Sequence, residues 1–303
     1  MPAQTVRFAQ VDVFTAVPFK GNPLAVVFDA DTLTTDQMQQ IARWTNLSET
    51  AFLLAPTDPA ADYRVRIFTP GAELPFAGHP TLGSAHAVRE SGYQPKQPGR
   101  LVQQCAAGLI ELTARGERVW AFAAPPARVT PLPAERYAEL SAALRIDVAQ
   151  AVETTGEPPF AVDNGAPWLV VRLPSPEACL AVNADPAALG PVTRAAGTHG
   201  VALYAPHPAG GPATFEVRCL MSGGGFGVGE DPVTGSANAA IAQLLSLRQK
   251  QPGRSYTARQ GTALGRDGRI YVDYDQANAP QAGGKTWIGG ESFTVIEGTF
   301  RLP

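Results

Sequence analysis

Residues 11–14 (Val-Asp-Val-Phe) alternate apolar and polar positions as a half-buried strand does, and residues 18–23 are turn chemistry ahead of a second strand over 24–28. The period then changes. Met38, Ile41, Ala42 and Thr45 share one helical face, Thr34 and Gln37 form a capping box, and Leu33 and Met38 a hydrophobic staple, so a helix is predicted that ends near Asn46. A polar cluster at 47–50 leads into an apolar strand through Leu54, and residues 63–68 alternate again before Thr69, Pro70 and Gly71 break the run. Residues 101–105, 108–113 and 118–123 are strand-like, and a short helical pattern covers 134–144. Residues 256–258 and 270–274 are predicted to form a hairpin around the Asp267-Gly268 turn. A last strand pair is expected over 286–289 and 292–296.

The pattern repeats. Shifting the chain by 152 positions superimposes Val65 on Val217, Arg66 on Arg218, Pro80 on Pro232, Gly83 on Gly235, Ser84 on Ser236 and Ala85 on Ala237 without a gap. Residues 164–171 likewise resemble 21–27. A period of half the chain indicates a duplicated domain rather than a solenoid, whose repeats run ~20–50 residues. Each copy reads as strand, turn and helix. Proline suits a helix start, which makes His79 and Asp231 the expected N-caps of helices over 80–91 and 232–247, both apolar nearly all round and therefore buried. The fold class expected is α+β, two pseudo-symmetric lobes, each a barrel-like sheet wrapped around a central helix. The first lobe is placed at 1–124, completed by 286–303, and the second at 125–285, with the proline-rich stretches 124–126 and 130–133 as the crossing.

With 303 residues the chain has room for two such cores. Its 30 glycines and 28 prolines suit many turns between short strands. A net charge of −3 leaves no basic footprint for nucleic acid or an anionic membrane, and no uninterrupted apolar run of about 18 residues would span one. Three scattered cysteines, Cys105, Cys179 and Cys219, read as cytosolic thiols rather than a disulfide frame, so a cytoplasmic protein is expected.

Candidate chemistry is sparse. Glu49 stands between Ser48 and Thr50 at the edge of an apolar strand, where a solvated loop carboxylate is the plain alternative. His79 and Asp231 gain interest because the duplication places them at equivalent points. Two helix N-termini converging on one cleft would offer unpaired N–H groups to an anion, with Gly83 and Gly235 allowing close approach and Ser84 and Ser236 adding hydroxyls. The small residues serve equally well for tight helix packing. The histidines lack metal-ligand spacing, the glycine-rich run 223–229 matches neither GxGxxG nor a P-loop, and no GxSxG occurs. No metal or cofactor is expected.

The segments VDVFTAVPFKGNPLAVV (11–27), NLSETAFL (46–53), RIFTPGAELPFAGHPTLGSAHA (66–87), EDPVTGSANA (230–239), QGTALGRDGRI (260–270) and IGGESFTVIEG (288–298) resemble the PhzF-like isomerases of phenazine biosynthesis, within the diaminopimelate epimerase-like superfamily. The resemblance implies a cofactor-independent isomerase, a homodimer, that moves a proton on a small carboxylic acid held between the lobes. It implies Glu49 as general acid/base, His79 and Asp231 as assisting groups, and Gly78, Gly235 and Ser236 as the carboxylate site. Racemases of the superfamily use two facing thiols, and here neither repeat turn carries a cysteine. Residues 218–222 depart from the family pattern, which bears on the substrate. The rival reading is a non-catalytic small-carboxylate-binding protein of the same fold.

Overall fold

The computed structural model describes residues 4–223, 228–275 and 284–302. The chain forms two units, one of Met1–Ala123 with Gly289–Pro303 and one of Ala124–Ile288.

In the first unit the alternating segments become β1 (Gln4–Val13), β2 (Asn22–Val27), β3 (Thr50–Leu54), β4 (Tyr63–Phe68), a two-residue β5 (Glu73–Leu74), β6 (Arg100–Cys105), β7 (Gly108–Ala114) and β8 (Val119–Ala123). The barrel runs β1-β2-β3-β4-β6-β7-β8 and closes through β17 (Thr286–Leu302), which pairs with both β8 and β1. Eight strands close around α2 (Gly78–Glu90), whose residues are buried from Gly78 to Val88. Closure leaves no edge strand, and a helix enclosed on every side has no need of a polar face. Gly83 records how close the wall comes: a Cβ there would sit 2.5 Å from Leu24 Cδ2 and 2.8 Å from Val13 Cγ2. Outside the barrel, α1 (Thr35–Thr45) starts at the Thr34/Gln37 capping box and ends at a left-handed Asn46. It packs Met38 and Ala42 over Val27, Phe52 and Phe68.

The second unit repeats the plan. Its strands are β9 (Arg128–Pro131), β10 (Phe160–Asp163), β11 (Trp168–Arg172), β12 (Gly200–Pro206), β13 (Phe215–Ser222), β14 (Val228–Asp231), β15 (Ser255–Gln260) and β16 (Gly268–Tyr274). Pairings alternate as in the first unit: β10·β11 antiparallel, β11·β12 parallel, β12·β13 antiparallel, β13·β15 parallel and β15·β16 antiparallel. As β5 does on β4, β14 hairpins onto β13. The central helix is α7 (Gly235–Leu247), buried from Ala237 to Leu245. Helices α3 (Tyr137–Leu144), α4 (Val148–Thr155), α5 (Pro176–Ala181) and α6 (Pro186–Ala196) share an apolar cluster with Leu169, Val171, Val201 and Leu203 of the sheet.

Several expectations change. The helices begin after Ala77 and Thr234 rather than at His79 and Asp231, so Pro80 is the third residue of α2 and Asp231 ends a strand. A proline is tolerated at that third position because its N–H would have had no intrahelical acceptor. The gapless 152-residue register also fails at the helices. Both are 13 residues long and open with glycine, so Gly78 and His79 correspond to Gly235 and Ser236. The β13–β14 hairpin is the longer of the two, and it absorbs the five-residue slip. Ser84, which the gapless register matched to Ser236, lies fully buried inside α2. The hairpin between β15 and β16 does not turn on Asp267-Gly268: Gln260 pairs with Gly268, and a 3-10 turn at Thr262–Leu264 fills the connection. The expected terminal strand pair is one continuous strand, β17, with a register shift opposite Gln10 and Val11. Part of the proline-rich crossing is ordered as β9 against β10. The glycine-rich run 223–229 falls largely outside the described residues.

Candidate active site

Glu49 and His79 are brought together in the first unit. The left-handed Asn46 stops α1, and a hydroxyl contact of 3.1 Å from Thr45 to the buried Thr50 draws the chain into β3, leaving Glu49 at the strand's entrance. His79, second residue of α2, places Nε2 3.3 Å from Glu49 Oε2, and both side chains are largely buried, 7% and 12% exposed. On its other side the ring meets Asn22 Nδ2, 3.5 Å from Nδ1. An amide nitrogen can only donate, so Nδ1 accepts and the ring proton belongs on Nε2, the ring nitrogen on the Glu49 side. Burial pushes the imidazole down to about pKa 3, so His79 is uncharged at neutral pH. Its contact with Glu49 is therefore a close polar approach rather than an ion pair, and it lacks the geometry of a formed hydrogen bond. A distance of 3.3 Å is at the long edge of hydrogen-bond reach, as is common before a ligand enters.

Asn22 is itself held in place. Asp12 Oδ2 accepts from the backbone of Lys20 and of Gly21 at 2.9 and 3.2 Å, closing the loop before β2. Only glycine fits at 21, where a Cβ would lie 2.1 Å from Val13 O.

Asp231, Gly235 and Ser236 belong to the second unit. The Ser236 hydroxyl accepts from Trp168 Nε1 at 3.0 Å, which leaves its own proton to donate, and Asn164 Nδ2 donates to the Ser236 carbonyl at 3.2 Å. Asn164 thus bears on the second residue of α7 as Asn22 bears on the second residue of α2. Thr234 donates to Asp231 Oδ2 at 2.5 Å and accepts from Gln260 Nε2 at 2.9 Å. This accounts for an oddity at the helix start: threonine is a good N-cap, yet its hydroxyl makes no cap bond to α7. Ala77 has no side-chain acceptor to give α2. By contrast α1, α4, α5 and α6 are capped by Thr34, Asp147, Ser175 and Asp185. Both central helices therefore begin without a side-chain cap on their first-turn N–H groups, the arrangement that receives anions.

Sequence reasoning missed Asn22, Trp168, Thr234 and Gln260. A signal for Asn22 was present in the likeness of 21–27 to 164–171, where an asparagine precedes the strand in both copies. Cys179 sits in the apolar cluster around α5, its thiol pushed up to about pKa 12 by burial. Cys219 on β13 is fully buried and its thiol is raised well above the ordinary range for the same reason. Among the described residues no group of His, Cys, Asp and Glu is placed to hold a metal ion, and no helix is long and apolar enough to cross a membrane.

The sequence pattern of the family described as phenazine biosynthesis-like protein matches residues 11–298. The chain is 39% identical over 296 residues to antisense-enhancing sequence 1 of Schizosaccharomyces pombe, covering 96% of this chain and 97% of that protein. It is 35% identical over 298 residues to a trans-2,3-dihydro-3-hydroxyanthranilate isomerase of Pseudomonas fluorescens, covering 98% and 99%. Among solved structures, the phenazine biosynthesis protein of the PhzF family from Bacillus anthracis superimposes with a TM-score of 0.86 at 24% identity, covering 98% and 99%.

Proposed function

Because the chain belongs to the phenazine biosynthesis-like family and is an isomerase, we propose that it moves a proton on a small carboxylic acid, with Glu49 as the acid/base group. The observation that carries this reading is the buried contact between Glu49 and an uncharged His79. A neutral imidazole donating from Nε2 orients the carboxylate without a permanent counter-charge, so Glu49 can take a proton from one carbon and return it to another. The Asn22 amide behind the ring selects the tautomer that does so. No cofactor enters the scheme.

A carboxylate alone is a modest base, so the substrate must carry a C–H acidified by conjugation. That condition is met by trans-2,3-dihydro-3-hydroxyanthranilate, for which the Pseudomonas relative is named. Its carboxylate would be received by the uncapped N–H groups at Gly235 and Ser236 and by the Ser236 hydroxyl, with Gly78 allowing close approach at the start of α2. Asp231, fixed by the Thr234 hydroxyl, serves as an ionised acceptor that orients the substrate.

The test is solvent-deuterium incorporation, followed by mass spectrometry and proton NMR, into trans-2,3-dihydro-3-hydroxyanthranilate and a panel of small conjugated carboxylic acids. Glu49→Gln keeps the shape and hydrogen bonding of the side chain but cannot exchange a proton near neutrality. Incorporation should fall ~10²–10⁴-fold with carboxylate affinity retained. Near-normal incorporation by Glu49→Gln, with loss in Asp231→Asn or His79→Ala, would mean that the base is another group.

A further inference from the structure

Gln260, on β15, is 0% exposed, and its amide makes four hydrogen bonds to the segment that opens α7. Oε1 accepts from the Thr234 backbone N–H at 3.0 Å and from Asn238 Nδ2 at 2.9 Å. Nε2 donates to the Asp231 carbonyl at 3.0 Å and to Thr234 Oγ1 at 2.9 Å. An amide nitrogen has two protons and a carbonyl oxygen two lone pairs, so every polar capacity of this side chain is spent on residues 231–238.

The direction of these bonds matters. Because Gln260 Nε2 donates to Thr234 Oγ1, the threonine proton is left to point elsewhere, and it points at Asp231 Oδ2, 2.5 Å away. A hydroxyl that donates to a carboxylate favours its charged form. The same donation uses an acceptor site on Thr234 that would otherwise cap α7, which leaves the first turn of that helix open. The first unit makes a useful contrast. Gln103 on β6 is equally buried and also reaches the fourth residue of its central helix, Thr81, at 2.9 Å, but its carbonyl accepts from the Tyr63 hydroxyl. A buried glutamine that braces the central helix is common to both units, whereas the relay to a carboxylate is found on Gln260.

We infer that Gln260 is a positioning residue which, through Thr234, keeps Asp231 ionised and the start of α7 uncapped. The inference rests on the proposed function for the role of Asp231 but has a readout of its own. Among the groups near Asp231 are Cys219, its cross-strand partner on β13, and beside it Glu230, which is bound by the Arg218 guanidinium at 2.8 Å. Burial holds the Cys219 thiol protonated, so it does not titrate in the acid range.

The experiment follows the Asp231 carboxyl by carbon-13 NMR of the full chain labelled at aspartate, with Asp231→Asn identifying the resonance. Thr234→Val removes the hydroxyl and little else, and should raise the Asp231 pKa by about one to two units, the worth of one hydrogen bond to a charged group. Thr234→Ser should leave it in place. Gln260→Met should raise it in the parent chain and add nothing in a Thr234→Val background, where the bond it acts through is already gone. An unmoved Asp231 titration in Thr234→Val overturns the inference. So does a Gln260→Met shift that persists undiminished in that background. If the titration moves as expected while deuterium incorporation by the same variants is unchanged, the relay stands and the assignment of Asp231 to the reaction falls.

Discussion

The uncharged state of His79 can be tested without a substrate. Burial lowers its pKa from 6.5 to about 3, so on acidification the unfolded chain takes up a proton at this residue while the native protein does not. The stabilising contribution is fully present above the unfolded value near 6.5, is lost as pH falls through it, and stops changing near the folded value of about 3. Between these limits one such group costs about 1.36 kcal/mol per pH unit, so acidification to pH 5.0 should remove about 2 kcal/mol. The perturbation is His79→Gln, which retains an uncharged hydrogen-bonding side chain that cannot protonate. Urea unfolding at pH 7.5 and pH 5.0, followed by tryptophan fluorescence, gives the difference. The parent should lose about 2 kcal/mol more than the variant, roughly 1 M in midpoint at ordinary urea sensitivities. His86 and His199 are also depressed by burial, but they are present in both proteins and cancel. Parallel pH dependence in the two proteins would mean that the native His79 takes up a proton as readily as the unfolded chain does. A parent that gained stability on acidification relative to His79→Gln would mean that the contact with Glu49 is an ion pair, and the proposed chemistry would need a cationic imidazole.

Three further outcomes follow from packing and burial. Gly83→Ala pushes a methyl against Leu24 and Val13 of the barrel wall, and thermal unfolding should show a loss of ~1–3 kcal/mol, larger than the gain of up to about 1 kcal/mol in helix propensity. Arg218→Met strips the buried Glu230 of its partner and the Cys179, Leu180 and Val182 carbonyls of a donor; a cost of ~3–5 kcal/mol is expected, recovered only in part when Glu230→Leu is added, because the carbonyls stay without the donor. Under native conditions a thiol reagent should modify Cys105 alone, with the buried Cys179 and Cys219 reacting only after denaturation, and carboxylate binding should survive that modification.

What the amino-acid order determined by itself is whatever depends on neighbours in the chain. The capping box at Thr34, the helix end at Asn46 and the alternation of β4 are local, and they were legible. So was the duplication, because two copies of one buried helix need the same small and apolar residues, and so was the likeness of the motifs to an isomerase family. The starts of the two central helices were not legible. Pro80 and Pro232 look like equivalent helix starts, yet one lies in the third helical position and the other in a turn, because the longer β13–β14 hairpin delays α7 by five residues relative to α2. Helices α4, α5 and α6 also escaped, since short helices on the outside of a sheet draw their stability from the cluster with Leu169 and Val201 rather than from a strong pattern of their own. Within the site, Glu49 and His79 were separately visible, but it is the folded chain that brings them within 3.3 Å and sets Asn22 behind the ring. It also decided that Thr234 turns from its helix toward Asp231, because the residue that redirects it, Gln260, comes 26 positions later in the chain and meets it only when β15 pairs beside β13.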